Sequence, residues 1–332
     1  MSRLLRRLYT TSSSPSSPSA TAITSQFLIT TQSLPPHTHT QLLDSNQLQR
    51  LSATLSRTQL SSSPPPQNTP LPPTWHLAYF TPSQLEQDLG HDGTDTSFNP
   101  PRPFTRRMWA GGELEWVRTP DGKINPLRIG QEVTETTELV SAVGKKSRAG
   151  EEMVVVGVKK TFENEHGASV IDRRNWIFRP EIIVDDSKSS TVIAPLKPSQ
   201  EVPLPEGRYT KDLIQTPVTL FRFSALTFNG HRIHYDREWC RRVEGHREIV
   251  VHGPLNLVCM VDFWRDVVAG GQKDGVEGMV FPRKISYRAT SPIYAGEKYR
   301  IVMNEEDLDG GTDVKIVDAY GNVGMVGRIE RL

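Results

Sequence analysis

PLNLVCMVDFWRDVV (Pro254–Val268) places Leu255, Leu257, Val258, Met260, Val261, Phe263, Trp264, Val267 and Val268 around most of a helical wheel. A helix that is apolar on more than one side has to be enclosed rather than laid on a surface. Pro254 suits its first turn and Gly270 its stop. Working outward, strand signals follow it. SPIYAGEKYRIVMNEED starts at Ser291, TDVKIVDAY ends at Tyr320, and NVGMVGRIE comes after Gly321. β-Branched enrichment and partial alternation mark these as antiparallel strands joined by short turns. The expectation is an α+β unit whose sheet curls around one buried helix.

The first half of the chain carries the same strand plan. PLRIGQEVTETTELVSAV starts at Pro126, EMVVVGVKKTFEN runs to Asn164, and ASVIDRRNWIFRP follows His166–Gly167. The two halves therefore read as distant copies, separated by a run rich in Asp, Ser, Lys and Pro from Asp185 to Pro205. The division predicted is 41–190 for a degenerate first repeat, 191–205 for a linker and 206–332 for a second repeat.

Ahead of the repeats the composition changes. Residues 1–40 hold Arg3, Arg6 and Arg7 and a dense Ser/Thr/Pro run, and no acidic residue occurs before Asp44. Leu4, Leu5, Leu8 and Tyr9 could form one apolar face of a short helix, so 1–40 reads as a mitochondrial presequence and disordered tail. Leu42, Leu43, Leu48, Leu51 and Leu55 predict a short amphipathic helix within Gln41–Ser56, and Ser61–Pro73 reads as an extended proline-rich linker.

Composition narrows the function classes. The 332 residues carry 39 Lys+Arg against 38 Asp+Glu, so no overall field favours nucleic acid or an anionic membrane. No window approaches the ~18 apolar residues of a membrane-spanning helix. Cys240 and Cys259 lack metal-ligand spacing, and neither a disulfide framework nor a cofactor is expected.

Chemistry concentrates in TFNGHRIHYDREWC (Thr227–Cys240), after VTLFRFSAL, a run that reads as a strand. Asn229, His231, His234, Tyr235 and Asp236 fall within eight residues, and His252 and Gly253 stand directly before the buried helix. Asp236 is read as the N-cap of a short helix from Arg237 to Val243. His231 and His234 have ligand-like spacing, but no Cys or acid is near enough to complete a set, so no metal site is expected.

At these residues the sequence resembles the MaoC-like, hot-dog-fold enoyl-thioester hydratases and dehydratases. It is most similar to the mitochondrial type 2 3-hydroxyacyl-thioester dehydratases and mesaconyl-C4-CoA hydratase relatives. PPTWHLAYF, the GHDG around His91 and RPFTRRMWAGGELEW extend the resemblance into the first half. It implies a double hot dog, two fused repeats each with a sheet wrapped around a helix. The family pattern is D-x-N-P-x-H-x-D. Here Asn229 takes the Asn position, His234 that of the catalytic His and Asp236 that of the later Asp, with two extra residues between; Thr227 stands where the first Asp would be. Gly253 matches the glycine whose amide faces the thioester carbonyl.

The resemblance implies a hydro-lyase converting a (R)-3-hydroxyacyl thioester to a trans-2-enoyl thioester. His234, Asn229 and Gly253 are the catalytic candidates, with His231, His252 and Thr227 as auxiliaries. His234 would move protons, the Gly253 amide would stabilise the oxyanion, and Asn229 would orient the hydroxyl or water. Arg106, Arg107 and Trp109 are candidates for the substrate or its carrier. The expected setting is fatty-acid synthesis on acyl carrier protein in the mitochondrial matrix, by a monomer or homodimer without nucleic-acid or membrane partners. The alternatives are a CoA-thioester hydratase of short branched acids, mesaconyl-C4-CoA-like, and a non-catalytic thioester-binding protein.

Overall fold

The computed structural model describes residues 19–331 apart from positions 59, 61, 148, 183–193, 271–278, 306, 308 and 309. The first 18 residues of the expected presequence lie outside the described residues. The rest of that segment corrects the expectation of a tail, because helix α1 (Ala20–Gln32) and strand β1 (His37–Leu42) belong to the fold. Ala20, Ile23, Phe27 and Leu28 make an apolar stripe at helical spacing, and it packs on Leu139, Val154, Val156 and Val158. The helix lies so close to the sheet that a Cβ at Gly144 would sit 2.7 Å from the Thr21 nitrogen.

Among the described residues ten antiparallel strands form one sheet. They are β1, β2 (Arg106–Trp116), β3 (Glu132–Lys146), β4 (Glu152–Asn164), β5 (Gly167–Arg179), β6 (Tyr209–Ile214), β7 (Lys284–Ala289), β8 (Lys298–Met303), β9 (Gly311–Asp318) and β10 (Val323–Glu330). Their spatial order is β1-β3-β4-β5-β2-β7-β10-β9-β8-β6. Read outward from the β2–β7 joint, the two halves have the same order, so the repeat legible in the sequence is a repeat of topology. It extends further than the sequence suggested. β1 is followed after two residues by the ten-residue helix α2 (Ser45–Thr54), and β6 is followed after two residues by the ten-residue helix α3 (Pro217–Leu226).

Helix α3 corrects the strand reading of VTLFRFSAL. Thr216 accepts from Thr219 N–H as an N-cap, Pro217 opens the first turn, and Leu220, Phe223 and Ser224 face inward at i, i+3 and i+4. Its Val, Thr and Phe content mimics a strand because Val218 and Phe221 are exposed, blurring the helical period.

Helix α5 (Gly253–Val268) is the enclosed helix, with ten of its residues buried, among them Leu255, Leu257, Met260 and Trp264. Each such apolar side chain contributes about 2 kcal/mol through water exclusion. Among the described residues the first half has no helix of this length. The end of the segment expected to be a linker instead runs into the core: Leu71 N–H donates to the Leu127 carbonyl, and Thr69 and Leu71 are buried. The Trp75 indole N–H donates to Asp262 on α5 at 3.1 Å, which ties the first half to the helix of the second.

Candidate active site

Several short elements lead to the N-terminus of α5. Helix α3 ends at Thr227, whose hydroxyl donates to the Phe223 carbonyl at 2.7 Å. Phe228 then adopts a left-handed φ of 47°, turning the chain, and Asn229 Oδ1 accepts from the His231 N–H at 3.0 Å. One 3-10 turn, Arg232–His234, carries the chain to Asp236, which caps the short helix α4 (Arg237–Trp239) by accepting from Trp239 N–H. Five π-helical residues, Cys240–Glu244, continue it. The chain returns as Ile249–Val251, held by Val250 N–H on the Ile233 carbonyl and Val251 N–H on the Ile293 carbonyl, and runs directly into His252 and Gly253.

That return path orients His234. Its Nδ1 lies 2.7 Å from the Val250 carbonyl, which can only accept, so Nδ1 carries the proton and Nε2 keeps the lone pair of the neutral ring. His252 stacks on it with centroids 3.6 Å apart, and its Nε2 lies 2.9 Å from Ser224 Oγ. The His231 ring stands edge-on to His234 at 5.3 Å. Burial keeps the cluster neutral: it lowers His234 to about 3, assisted by His231, and lowers His231 to about 3, assisted by the Arg107 charge. His252, wholly buried, falls well below its ordinary value.

The first half supplies two parts of this site. Asp92 Oδ2 lies 3.7 Å from His231 Nε2, and the Asp92 carbonyl accepts the Arg232 N–H at 2.8 Å. Gly93, at φ 79°, presses against the Gly230 carbonyl, an approach that a Cβ at Gly93 would prevent. From β2, Trp109 covers the start of α5: a Cβ on Gly253 would lie 2.8 Å from Trp109 Cδ1. Gly253 is therefore a glycine because an indole occupies the place of its side chain.

A cleft of about 900 Å³ joins these groups to the inner face of the first half. Beyond Trp109 its floor is charged. Arg174 lies over the Trp109 ring and pairs with Asp172, and Lys160 pairs with Glu135. His76, 3 % exposed and lowered to about 4 chiefly by burial, also lines it.

The structure thus brings His231, His234, His252, Asn229, Thr227, Gly253 and Trp109 together. Thr227 presents a hydroxyl engaged by the helix end rather than an acid. Arg106 and Arg107 are both engaged within the protein, and Arg107 also lines the cleft. Arg106 Nε pairs with Glu244 at 2.7 Å. Arg107 pairs with Asp95 at 2.7 Å and stacks over Trp176 and Phe178. Arg107 thus braces the loop before β2, where a guanidinium over aromatic rings with a carboxylate partner is well held, and Arg106 ties β2 to the Cys240–Glu244 turn. Sequence reading missed Asp92, Ser224 and Arg174; the Asp–Gly pair at 92–93, beside the noted His91, was the available signal for the first. Among the described residues no group of three or more His, Cys, Asp or Glu gathers as a metal site.

A family model for hydroxyacyl-thioester dehydratase type 2 matches residues 74–295, which hold every element of this site. The chain belongs to that family. The hydroxyacyl-thioester dehydratase type 2 assignment makes it a hydro-lyase by class. It is 34 % identical over 206 residues to a mesaconyl-C(4)-CoA hydratase of Chloroflexus aurantiacus, covering 61 % of this chain and 68 % of the relative. It is 25 % identical over 255 residues to a mitochondrial hydroxyacyl-thioester dehydratase type 2 of Schizosaccharomyces pombe, covering 71 % and 79 %. A MaoC-like dehydratase structure from Phytophthora capsici superimposes with a TM-score of 0.60 at 15 % identity, covering 91 % of this chain and 97 % of the other. A Mycobacterium tuberculosis protein described as a double hotdog gives 0.52 at 12 % identity, covering 89 % and 95 %. The architecture is that double hot dog.

Proposed function

We propose that the cleft interconverts a (R)-3-hydroxyacyl thioester and its trans-2-enoyl thioester, with His234 as the group that exchanges the proton at C2. The observation carrying this reading is the His234 ring itself, fixed by Val250 and His252 so that its lone-pair nitrogen Nε2 belongs to a side chain lining the cleft, beside the first turn of α5. Taking the C2 proton leaves negative charge on the thioester oxygen. The first N–H groups of α5 have no acceptor within the helix, and one such donor supplies about 3 kcal/mol to an oxyanion. Asn229, also lining the cleft, orients the hydroxyl or the water. Replacing His234 by Ala should lower turnover of crotonyl thioester, followed by its ultraviolet absorbance, by about 100-fold or more. Retained turnover would remove the reading.

For the setting we propose the mitochondrial matrix, with acyl carrier protein as the thiol. The basic, acid-free amino terminus and the name of the Schizosaccharomyces pombe relative support this. The charged floor favours a second reading, a CoA thioester of a short branched acid, because a long hydrocarbon chain would cover the cations Arg174 and Lys160, which line the cleft, without contributing a partner. The Chloroflexus relative points the same way. Rates compared across crotonyl, decenoyl and carboxylate-bearing enoyl groups, each on CoA and on carrier protein, separate the two.

A further inference from the structure

We infer that His231, faced by Asp92 from the first half, is a second catalytic histidine: it handles the water or hydroxyl at C3, and Asp92 is its positioning residue, doing the work of the carboxylate that Thr227 lacks. This rests on the hydro-lyase reading above and deepens it.

Among the described residues the buried His231 Nε2 has no hydrogen-bond partner, and Asp92 Oδ2 lies 3.7 Å from it. The other oxygen, Oδ1, accepts from both the Thr94 N–H and hydroxyl, so the carboxylate is held rigidly with Oδ2 left for the imidazole. The loop bearing it is clamped on the motif loop by the Asp92 carbonyl on Arg232 N–H and by the Gly93–Gly230 contact. Three independent contacts therefore aim one buried acid of the first half at one histidine of the second. An Nε2–H directed at Asp92 leaves Nδ1 as the basic nitrogen of His231, a residue that lines the cleft beside His234.

The proton path then balances with every imidazole neutral at rest. In dehydration the C2–H bond breaks, its proton goes to His234 Nε2, and the electron pair is held as the enolate. The proton passes to His231, edge-on to His234, where Asp92 offsets the imidazolium charge. It is delivered to the C3 hydroxyl as the C3–O bond breaks, so that water leaves and the enolate pair forms the C2=C3 bond. Hydration runs the same path backwards.

The test compares Asp92→Asn and Asp92→Glu in the full chain. Asparagine keeps an oxygen for Thr94 and removes the charge. Hydration of crotonyl-CoA by Asp92→Asn should lose about 100-fold in kcat with KM within about twofold, and Asp92→Glu should recover part of the loss. Exchange of the C2 protons of butyryl-CoA with solvent deuterium, which needs no leaving hydroxyl, should persist in Asp92→Asn. A kcat within twofold of the native protein, or equal loss of hydration and exchange, would overturn the inference. A readout independent of turnover is the 15N spectrum of the His231 ring, which also faces Arg106, Arg107, His246 and His234. It should report Nε2–H in the native protein and a titration moved to lower pH in Asp92→Asn; an unchanged tautomer and titration would sink the pair even if no thioester tried is turned over.

Discussion

The imidazoles of His234 and His252 lie face to face with centroids 3.6 Å apart. Two rings so close and so buried resist protonation together. Unfolded, each titrates near 6.5; folded, His234 and His231 are lowered to about 3 and His76 to about 4, in each case chiefly by burial. As the pH falls below 6.5 the unfolded chain takes up protons that the fold refuses. Stability is complete above that value and declines below it, by roughly 2 kcal/mol per histidine at pH 5. Thermal midpoints measured between pH 7.5 and 5 should fall steeply; a level profile would contradict the neutral cluster.

Gly253 and Trp109 should behave as a coupled pair. Gly253→Ala forces a methyl against the indole and is expected to lose about 1–3 kcal/mol of stability together with most turnover. Adding Trp109→Leu should restore stability in part. Additive losses in urea unfolding of the two single variants and the double variant would argue against the contact.

The charged floor gives a third expectation. Arg174→Met leaves Asp172, 0 % exposed, without its cation and should lose about 3–5 kcal/mol. The double change Arg174→Met with Asp172→Asn removes both charges and should lose less. If the double variant is no more stable than the single, the pair is not what holds this part of the cleft.

The halves should not be separable. β2 pairs with β7, Trp75 donates to Asp262, and Arg57 pairs with Asp266 at 2.6 Å, so residues 206–332 alone would expose one edge of β7 and one side of α5. Expressed by itself, that segment is expected to show no cooperative thermal transition by circular dichroism. A sharp transition would show the second repeat to be autonomous.

The buried helix was legible because its apolar residues and its Pro254 and Gly270 punctuation depend only on local sequence. The hairpins β3–β5 and β8–β10 were legible for the same reason. Helix α3 was not, since its exposed Val218 and Phe221 carry strand-type chemistry on the side that should have been polar. Strand β1 was hidden in a tail-like composition because an edge strand of His, Thr and Gln has half its faces in water. In the site, His234, His252 and Gly253 stood out by proximity in the chain. Asp92 did not, because its meeting with His231 is created by one loop docking on another, and no local pattern records a contact of that kind.

That docking has an evolutionary corollary. When two identical subunits pair about a twofold axis, each substitution is installed at both sites, so neither copy can give up its own machinery to serve the other. Fusion lifts that obligation. Among the described residues the first half is without a helix as long as α5, and its Asp92 stands beside His231 of the second, a division of labour that identical copies could not have explored.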